Sequence, residues 1–324
     1  MSSPPTRWHH VPEVGTLWAI RVLILWLRVW GRGVTRYLLA AIAFYYLLFS
    51  TNARRSSQAY LRRLGLPASH RSTFQHLWCF ASTVMDRLYF AQDRFDLFTI
   101  ERHGHEHLES LIERGRGGIL LGAHFGSFEV MRSQSVVERF PINIVGDFTN
   151  AERINAVLRQ VNPRLDMRLI STGAGHASVA LHARDAIARG ELVAILGDRG
   201  NEQSNTVEVD FLGGKVALPT GPYVLASVLK CPIYFVVALY EAPNRYSLYC
   251  EPFAESIDLP RGRREQAVVE YVQRYADRLA HYCNLAPYNW FNFFDFWSEL
   301  PLTGTQDARD PRKEDDGSQA SLSR

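Results

Sequence analysis

The sequence predicts an α/β fold: a mostly parallel twisted sheet flanked by helices, preceded by an N-terminal membrane-associated helical segment. Two observations carry this expectation. From Gly118 onward, short aliphatic and β-branched runs alternate with helical segments, the pattern of a parallel sheet with crossover helices. Ahead of them, Gly15–Ser50 is strongly apolar and aromatic. The chain of 324 residues is 47% hydrophobic and 21% charged, enough apolar material for a sizeable core.

In chain order, residues 1–14 are polar, proline-bearing and loose. Residues 15–64 form the hydrophobic and amphipathic segment. Its arginines, Arg21, Arg28, Arg32 and Arg36, are spaced seven, four and four apart. At about 100° per residue they share one stripe, opposite Trp18, Leu23, Ile24 and Trp30. That suits a helix lying in a membrane interface with its arginines at the headgroups. A buried amphipathic helix of a soluble fold is the alternative. The uncharged run between Arg36 and Arg54 barely reaches the ~20 apolar residues a spanning helix needs, so interfacial or re-entrant attachment is expected. Arg54, Arg55, Arg62 and Arg63 then make a basic cluster that anionic lipid would attract.

The main domain is expected over residues 65–302. Residues 71–115 read as helical, stopping at Gly115 and Gly117. Strands are expected at Gly118–Gly122, Ile142–Val145, Leu169–Ser171, Val193–Leu196, Ile233–Leu239 and Tyr246–Glu251. Helices fall between them: one running to about Phe140, then Ala151–Val161, Ser178–Ala188, Gly221–Leu229 and Arg263–Tyr282. The aromatic segment Tyr288–Trp297 closes the fold, and the polar, charged residues 303–324 are expected to be disordered.

Charge and cysteine usage bound the setting. The net charge is only +3, and all but three basic residues (Lys215, Lys230, Lys313) are arginine, whose planar fork suits phosphates and carboxylates. Nucleic acid is not an expected partner. Cys79, Cys231, Cys250 and Cys283 are scattered, as reduced thiols of a cytosolic-facing protein would be. No secretory signal is visible.

The sharpest feature is GGILLGAHFGSFEVMRS. A hydrophobic strand ends at Gly122, a turn carries His124 and Gly126, and a helix begins with Glu129 in its first turn. Open α/β sheets bind ligands at the carboxyl ends of their strands. A histidine there can take a proton from an alcohol, and Glu129 can return across the turn to hold its other ring nitrogen. Free backbone N–H groups of the Gly126 turn and the helix start could receive a developing oxyanion. A histidine merely capping a turn is the plainer reading of the same residues.

Three rival functions use other features. His103, His105, Glu106 and His107 cluster as metal ligands do, but on a predicted helix and without H-E-x-x-H. A serine hydrolase or esterase would use Ser127, which lacks the flanking glycines of a G-x-S-x-G elbow. A non-catalytic membrane-binding protein would explain the N-terminal segment and leave His124 and Glu129 idle.

GRGGILLGAHFGSFE closely resembles the H-x4-D/E block of the lysophospholipid acyltransferase superfamily, within it the bacterial lipid A biosynthesis (late) acyltransferase-like branch. The preceding GHEHLESLIERGRG, the later LVAILGDRG, VDFLGGKVALPTGPYVLA and PIYFVVALY, and the closing NWFNFFDFW extend the resemblance over about residues 15 to 300. It implies transfer of an acyl group from an acyl carrier protein or coenzyme A thioester to a hydroxyl of a lipid or glycolipid. That transfer would need no cofactor or metal, and would occur at the cytoplasmic face of a bacterial inner membrane. His124 would be the general base and Glu129 its partner. Asp198 and Arg199 would belong to a later active-site block. Gly126, Ser127, Phe211, Gly213, Pro219, Thr220 and Gly221 would line the substrate cleft. One departure concerns the acceptor. In VGDFTNAERIN, Asp147 and Asn150 stand where lipid A enzymes of this branch typically carry arginine, with Arg153 nearby. This favours acceptors other than a lipid A precursor: other glycolipids, aminolipids or pigment-type polyketides.

Overall fold

The computed structural model describes residues 17–130, 141–146, 168–200 and 204–297. The expected loose N-terminus, the helix at 151–161, Asp147, Asn150, Arg153 and the tail from residue 303 lie outside them.

Three helices come first: α1 (Leu17–Phe49), α2 (Thr51–Arg63) and α3 (His70–Phe90). A seven-stranded sheet follows. Its strands are β1 (Thr99–His103), β2 (Gly118–Gly122), β3 (Ile142–Gly146), β4 (Arg168–Ser171), β5 (Leu192–Leu196), β8 (Ile233–Glu241) and β9 (Arg245–Ala254), in the spatial order β1-β9-β8-β2-β5-β3-β4. All neighbours are parallel except the β8–β9 hairpin. A separate antiparallel hairpin, β6 (Thr206–Phe211) with β7 (Gly214–Pro219), stands beside it. Helices α4 (Glu106–Glu113), α5 (His176–Ala188), α6 (Gly221–Leu229) and α7 (Arg264–Leu285) complete the described elements.

The GILLG run of β2 is buried at every residue because both sheet faces are covered. Strand alternation sends Ile119 and Leu121 into the core with α7 residues Val268, Val272 and Tyr275. Leu120 faces the other way, into the core with Phe90, Leu111 and Phe291. The six expected strands are present.

Two expectations fail. The helix predicted over 71–115 is broken: α3 ends at Phe90, and β1 and α4 occupy the rest. TIERH is an edge strand, exposed or half-exposed throughout, so no hydrophobic period announces it. The loop expected after β5 contains the β6–β7 hairpin. Its turn residues, Leu212 and Gly213, both have positive φ (47° and 71°), as a two-residue primed turn requires.

The two arginines of the expected stripe whose side chains are described, Arg32 and Arg36, turn toward the protein rather than toward headgroups. Arg32 turns inward and donates Nε and Nη2 to the two oxygens of Asp86 on α3, both at 2.8 Å. Asp86 is fully buried and also accepts from Tyr246 Oη at 2.8 Å. Arg36 lies over the Trp78 ring. Elsewhere on α1, Leu25, Trp26, Val29, Trp30, Tyr37 and Phe44 are apolar and exposed. The side chains of Arg21 and Arg28 lie outside the described set. Gly31 kinks α1 (φ 67°). No single described helix is long and apolar enough to cross a membrane, whereas Val29–Phe49 with Thr51–Arg63, bent by 93°, passes by length and composition together.

Breaking the Arg32–Asp86 pair strands a buried carboxylate. Arg32→Met is therefore expected to cost about 3 kcal/mol or more in urea unfolding. Arg36→Met should cost less than about 1 kcal/mol, as for an ordinary half-exposed position.

Candidate active site

The site lies where β2 and β5 end side by side. Their terminal residues, Gly122 and Leu196, pair in register. The turn after β2 is pinned from two directions. Gly126 N–H donates to the Asn289 carbonyl at 2.8 Å, and Ser127 N–H to that of Ala238 at 3.0 Å. Gly126 has φ +59°, and a Cβ there would stand 1.7 Å from Ala238 O. Only glycine permits so close an approach in that conformation. The Gly126 and Ser127 amides are thus already used, so of the amides expected to receive an oxyanion those of the turn are taken, and the helix start is what is left.

His124, in this turn, meets Asp198 from the end of β5. The imidazole Nδ1–H donates to Asp198 Oδ1 at 2.9 Å, and the His124 backbone N–H donates to Oδ2 at 3.1 Å. Trp290 Nε1–H donates to the same Oδ2 at 3.1 Å, and Arg199 Nε lies 3.8 Å from it. The Asp198 side chain is wholly enclosed. Burial alone would raise its pKa. The charge and ring N–H of His124, the Arg199 guanidinium and the backbone N–H outweigh that and hold it well below the usual carboxylate range.

The His124 side chain keeps 38% of its surface accessible. Surrounding protein still strips enough water to lower its pKa, with help from Arg199 and Arg87 against the opposing Asp198. The ring is therefore neutral near pH 7. With Nδ1 carrying the proton, Nε2 presents a lone pair, and it has no hydrogen-bond partner among the described residues. A neutral, oriented imidazole with one edge open is equipped to accept a proton.

The structure separates the expected site residues into groups. His124, Asp198 and Arg199 come together, and the carboxylate on Nδ1 is Asp198, not Glu129. Glu129 pairs instead with Arg87 of α3, at 2.6 Å. A residue five positions along, in the first turn of a helix, is drawn to the neighbouring helix, while Asp198 arrives at hydrogen-bonding distance from the adjacent strand. Arg199 is turned inward: it donates to the Phe291 carbonyl and lies over the Phe294 ring. Ser127 is 2% exposed, its hydroxyl enclosed and without a hydrogen-bond partner among the described residues. Phe211 packs edge-on against Trp290, their ring centroids 5.2 Å apart. Gly213 forms the β6–β7 turn, and Pro219 ends β7. Thr220 bonds Asn205 ahead of Gly221, which starts α6. These four belong to the hairpin and the start of α6.

Trp290 was missed as a site residue. The aromatic run around it was legible, but its indole donor reaches a partner 92 positions away. The His103–His107 cluster is also redistributed. His103 lies on strand β1, stacked on Tyr249 at 4.5 Å, and His105 precedes α4, near Glu106 and Glu109. Among the described residues, no group of three or more His, Cys, Asp or Glu side chains is placed to hold a metal.

Gly126→Ala is expected to prevent soluble folding or to lower the melting temperature sharply. Gly213→Ala, at positive φ but in open space, should cost only about 1–2 kcal/mol in the same melts.

No curated protein matches the chain. The sequence model of the family described as "Bacterial lipid A biosynthesis acyltransferase" matches residues 82–298, a stretch that includes His124, Glu129, Asp198, Arg199 and Trp290. The match covers more than half of the chain and runs from within α3 past the aromatic segment. The chain belongs to this acyltransferase family.

Proposed function

We propose that the protein transfers a fatty-acyl group from a thioester to a hydroxyl of a lipid or glycolipid, with His124 as general base. The observation that carries this is the open Nε2 of a neutral His124 whose Nδ1–H is committed to a buried, ionised Asp198. The acceptor hydroxyl gives its proton to Nε2, and its oxygen attacks the thioester carbonyl. The tetrahedral intermediate collapses with cleavage of the C–S bond, and the departing thiolate takes the proton from Nε2. The product is an ester and the thiol is released, so the step balances without metal, cofactor or covalent enzyme intermediate. Asp198 orients the base and stabilises the imidazolium. Glu129 contributes by holding Arg87 beside the site.

The donor thioester is carried on acyl carrier protein or coenzyme A. Arg55, Arg62, Arg261, Arg263 and Arg264 are exposed and suit either an acidic protein or phosphates. The acceptor lies in or on a membrane, at the cytoplasmic face of the bacterial inner membrane. Helix α1 supports that placement: its described arginines turn toward the protein while its apolar side faces outward, opposite to a helix of a water-soluble surface. Arg54 is less available to headgroups than its sequence position suggests, because it caps the carbonyls of Leu47 and Leu48. The acceptor class remains the one favoured by Asp147 and Asn150: a glycolipid, aminolipid or polyketide product rather than a lipid A precursor.

The decisive experiment compares lipids by mass spectrometry from cells with the wild-type chain, His124→Ala and no protein, together with thioester consumption by purified protein. An acylated lipid that appears only with the wild type supports the assignment. Transfer retained by His124→Ala, or free acid released without transfer, overturns it. Asp198→Asn should lower kcat about 10³- to 10⁴-fold, as when the orienting carboxylate of a histidine base is neutralised. Glu129→Gln should cost less than about tenfold, a smaller loss than that of the general base itself. The base acts unprotonated, so kcat/KM should fall as pH drops through the His124 pKa. That limb should sit below the ordinary imidazole value.

A further inference from the structure

The Asp198–His124 pair is held partly by Trp290, and Trp290 is held by a second histidine. His76 of α3 is completely buried in an aromatic cage of Tyr60, Phe291 and Phe293, with centroid distances of 5.5, 6.5 and 4.6 Å. Its Nε2 lies 2.8 Å from the Trp290 carbonyl oxygen, and its Nδ1 lies 2.9 Å from Ser57 Oγ of α2. A carbonyl oxygen only accepts, so Nε2 carries the hydrogen. Burial lowers the ring's pKa to about 4, so it carries only that one, and Nδ1 accepts from the Ser57 hydroxyl. Both directions are fixed by the partners.

The bonds then run without a gap. Ser57 Oγ–H donates to His76, His76 to the Trp290 carbonyl, and the Trp290 indole to Asp198, which receives the His124 ring. On either side of Trp290 the same segment clamps the catalytic turn: Asn289 O accepts from Gly126 N–H, and Phe291 N–H donates to His124 O. Asn289 is itself locked to both backbone groups of Tyr240 through its side chain. An apolar side chain would fill the cage around His76 without any desolvation cost. What the imidazole adds is a directed bond to one carbonyl.

We propose that His76 is a positioning residue for the Asp198–His124 pair, tying α2 and α3 to the Trp290 segment that fixes the Asp198 carboxylate. Its effect on turnover rests on the acyl-transfer reading, whereas its effect on the Trp290 indole does not.

Two polar replacements separate this role from simple packing. A glutamine amide nitrogen falls near the place of imidazole Nε2, an asparagine amide nitrogen near Nδ1. His76→Gln therefore keeps a donor for the Trp290 carbonyl, while His76→Asn keeps only the Ser57 side. The full-length protein in detergent, labelled with ¹⁵N-tryptophan, gives the indole resonance of Trp290, assigned by its loss in Trp290→Phe. His76→Asn is expected to move that resonance toward the free-indole position and to lower kcat about 10- to 100-fold, as a small misplacement of catalytic groups does, with KM nearly unchanged. His76→Gln should recover most of both. Combined with Trp290→Phe, His76→Asn should add less than its full loss, because the indole bond is already gone and only the backbone clamps of Asn289 and Phe291 on the His124 turn are left to loosen. Asn and Gln variants that behave alike, or losses that multiply in the double variant, overturn the proposal. If the wild type transfers no acyl group, the indole resonance alone decides, and the failure then belongs to the proposed activity and not to His76.

Discussion

Asp198 is a carboxylate removed from water, and the architecture around it is organised to keep it charged. Burying an ion costs several kcal/mol after relaxation unless nearby donors replace its hydration. Here the donors come from separate parts of the chain, the His124 ring and backbone N–H from the turn after β2 and the Trp290 indole from the closing segment, while the Arg199 guanidinium adds its charge from 3.8 Å. Displacing any one of them leaves a buried charge short of a partner. The turn must therefore approach tightly, which explains the glycine at 126. The closing segment must run between that turn and the end of β8, which explains the Asn289 side chain locked to Tyr240. The geometry around His124 is thus enforced by the cost of exposing or orphaning one carboxylate.

A second buried carboxylate, Asp86, organises the N-terminal side in the same way. It accepts both Arg32 donors and the Tyr246 hydroxyl, so α1 is fastened to α3 and to β9 through one residue. Its neighbour Arg87 reaches in another direction, to Glu129 at the start of the helix after His124. Helix α3 therefore touches the outward-facing apolar helix on one side and the catalytic turn on the other. His76, on the same helix, adds the link through Trp290. The attachment of α1 and the shape of the site share a single helical support.

What the sequence made legible follows from locality. Strand β2 and the position of His124 could be read because a continuous aliphatic run ending in Gly-Ala-His is a local pattern. Asp198 and Arg199 could be placed at a strand end for the same reason. The identity of the carboxylate on His124 could not, because the two residues are 74 positions apart and spacing favoured the nearer Glu129. Strand β1 was hidden because TIERH sits at a sheet edge with no apolar face to alternate. The β6–β7 turn was hidden because it uses Leu212, an unusual residue at positive φ, in place of the common Asn-Gly. The inward turn of Arg32 and Arg36 on α1 is not legible, because periodicity gives the faces of a helix without saying which one meets the protein.

The aromatic closing segment shows how composition alone misleads about role. NWFNFFDFW has the apolar density of a membrane anchor, yet Trp290, Phe291, Phe294 and Phe296 are each at most 9% exposed. Their rings fill the space between α2, α3 and the β6–β7 hairpin, and one of them carries the polar atom that the site requires. Tryptophan suits that position for a physical reason. Its indole N–H donates and never accepts, so it can serve only as a donor to the ionised Asp198. A tyrosine hydroxyl can donate and accept, and it could turn its hydrogen toward another group. Phenylalanine fills much of the space and supplies no donor. The bulk of the segment packs against α2, α3 and the hairpin, while the single N–H fixes which oxygen of Asp198 faces inward and which meets Nδ1 of His124.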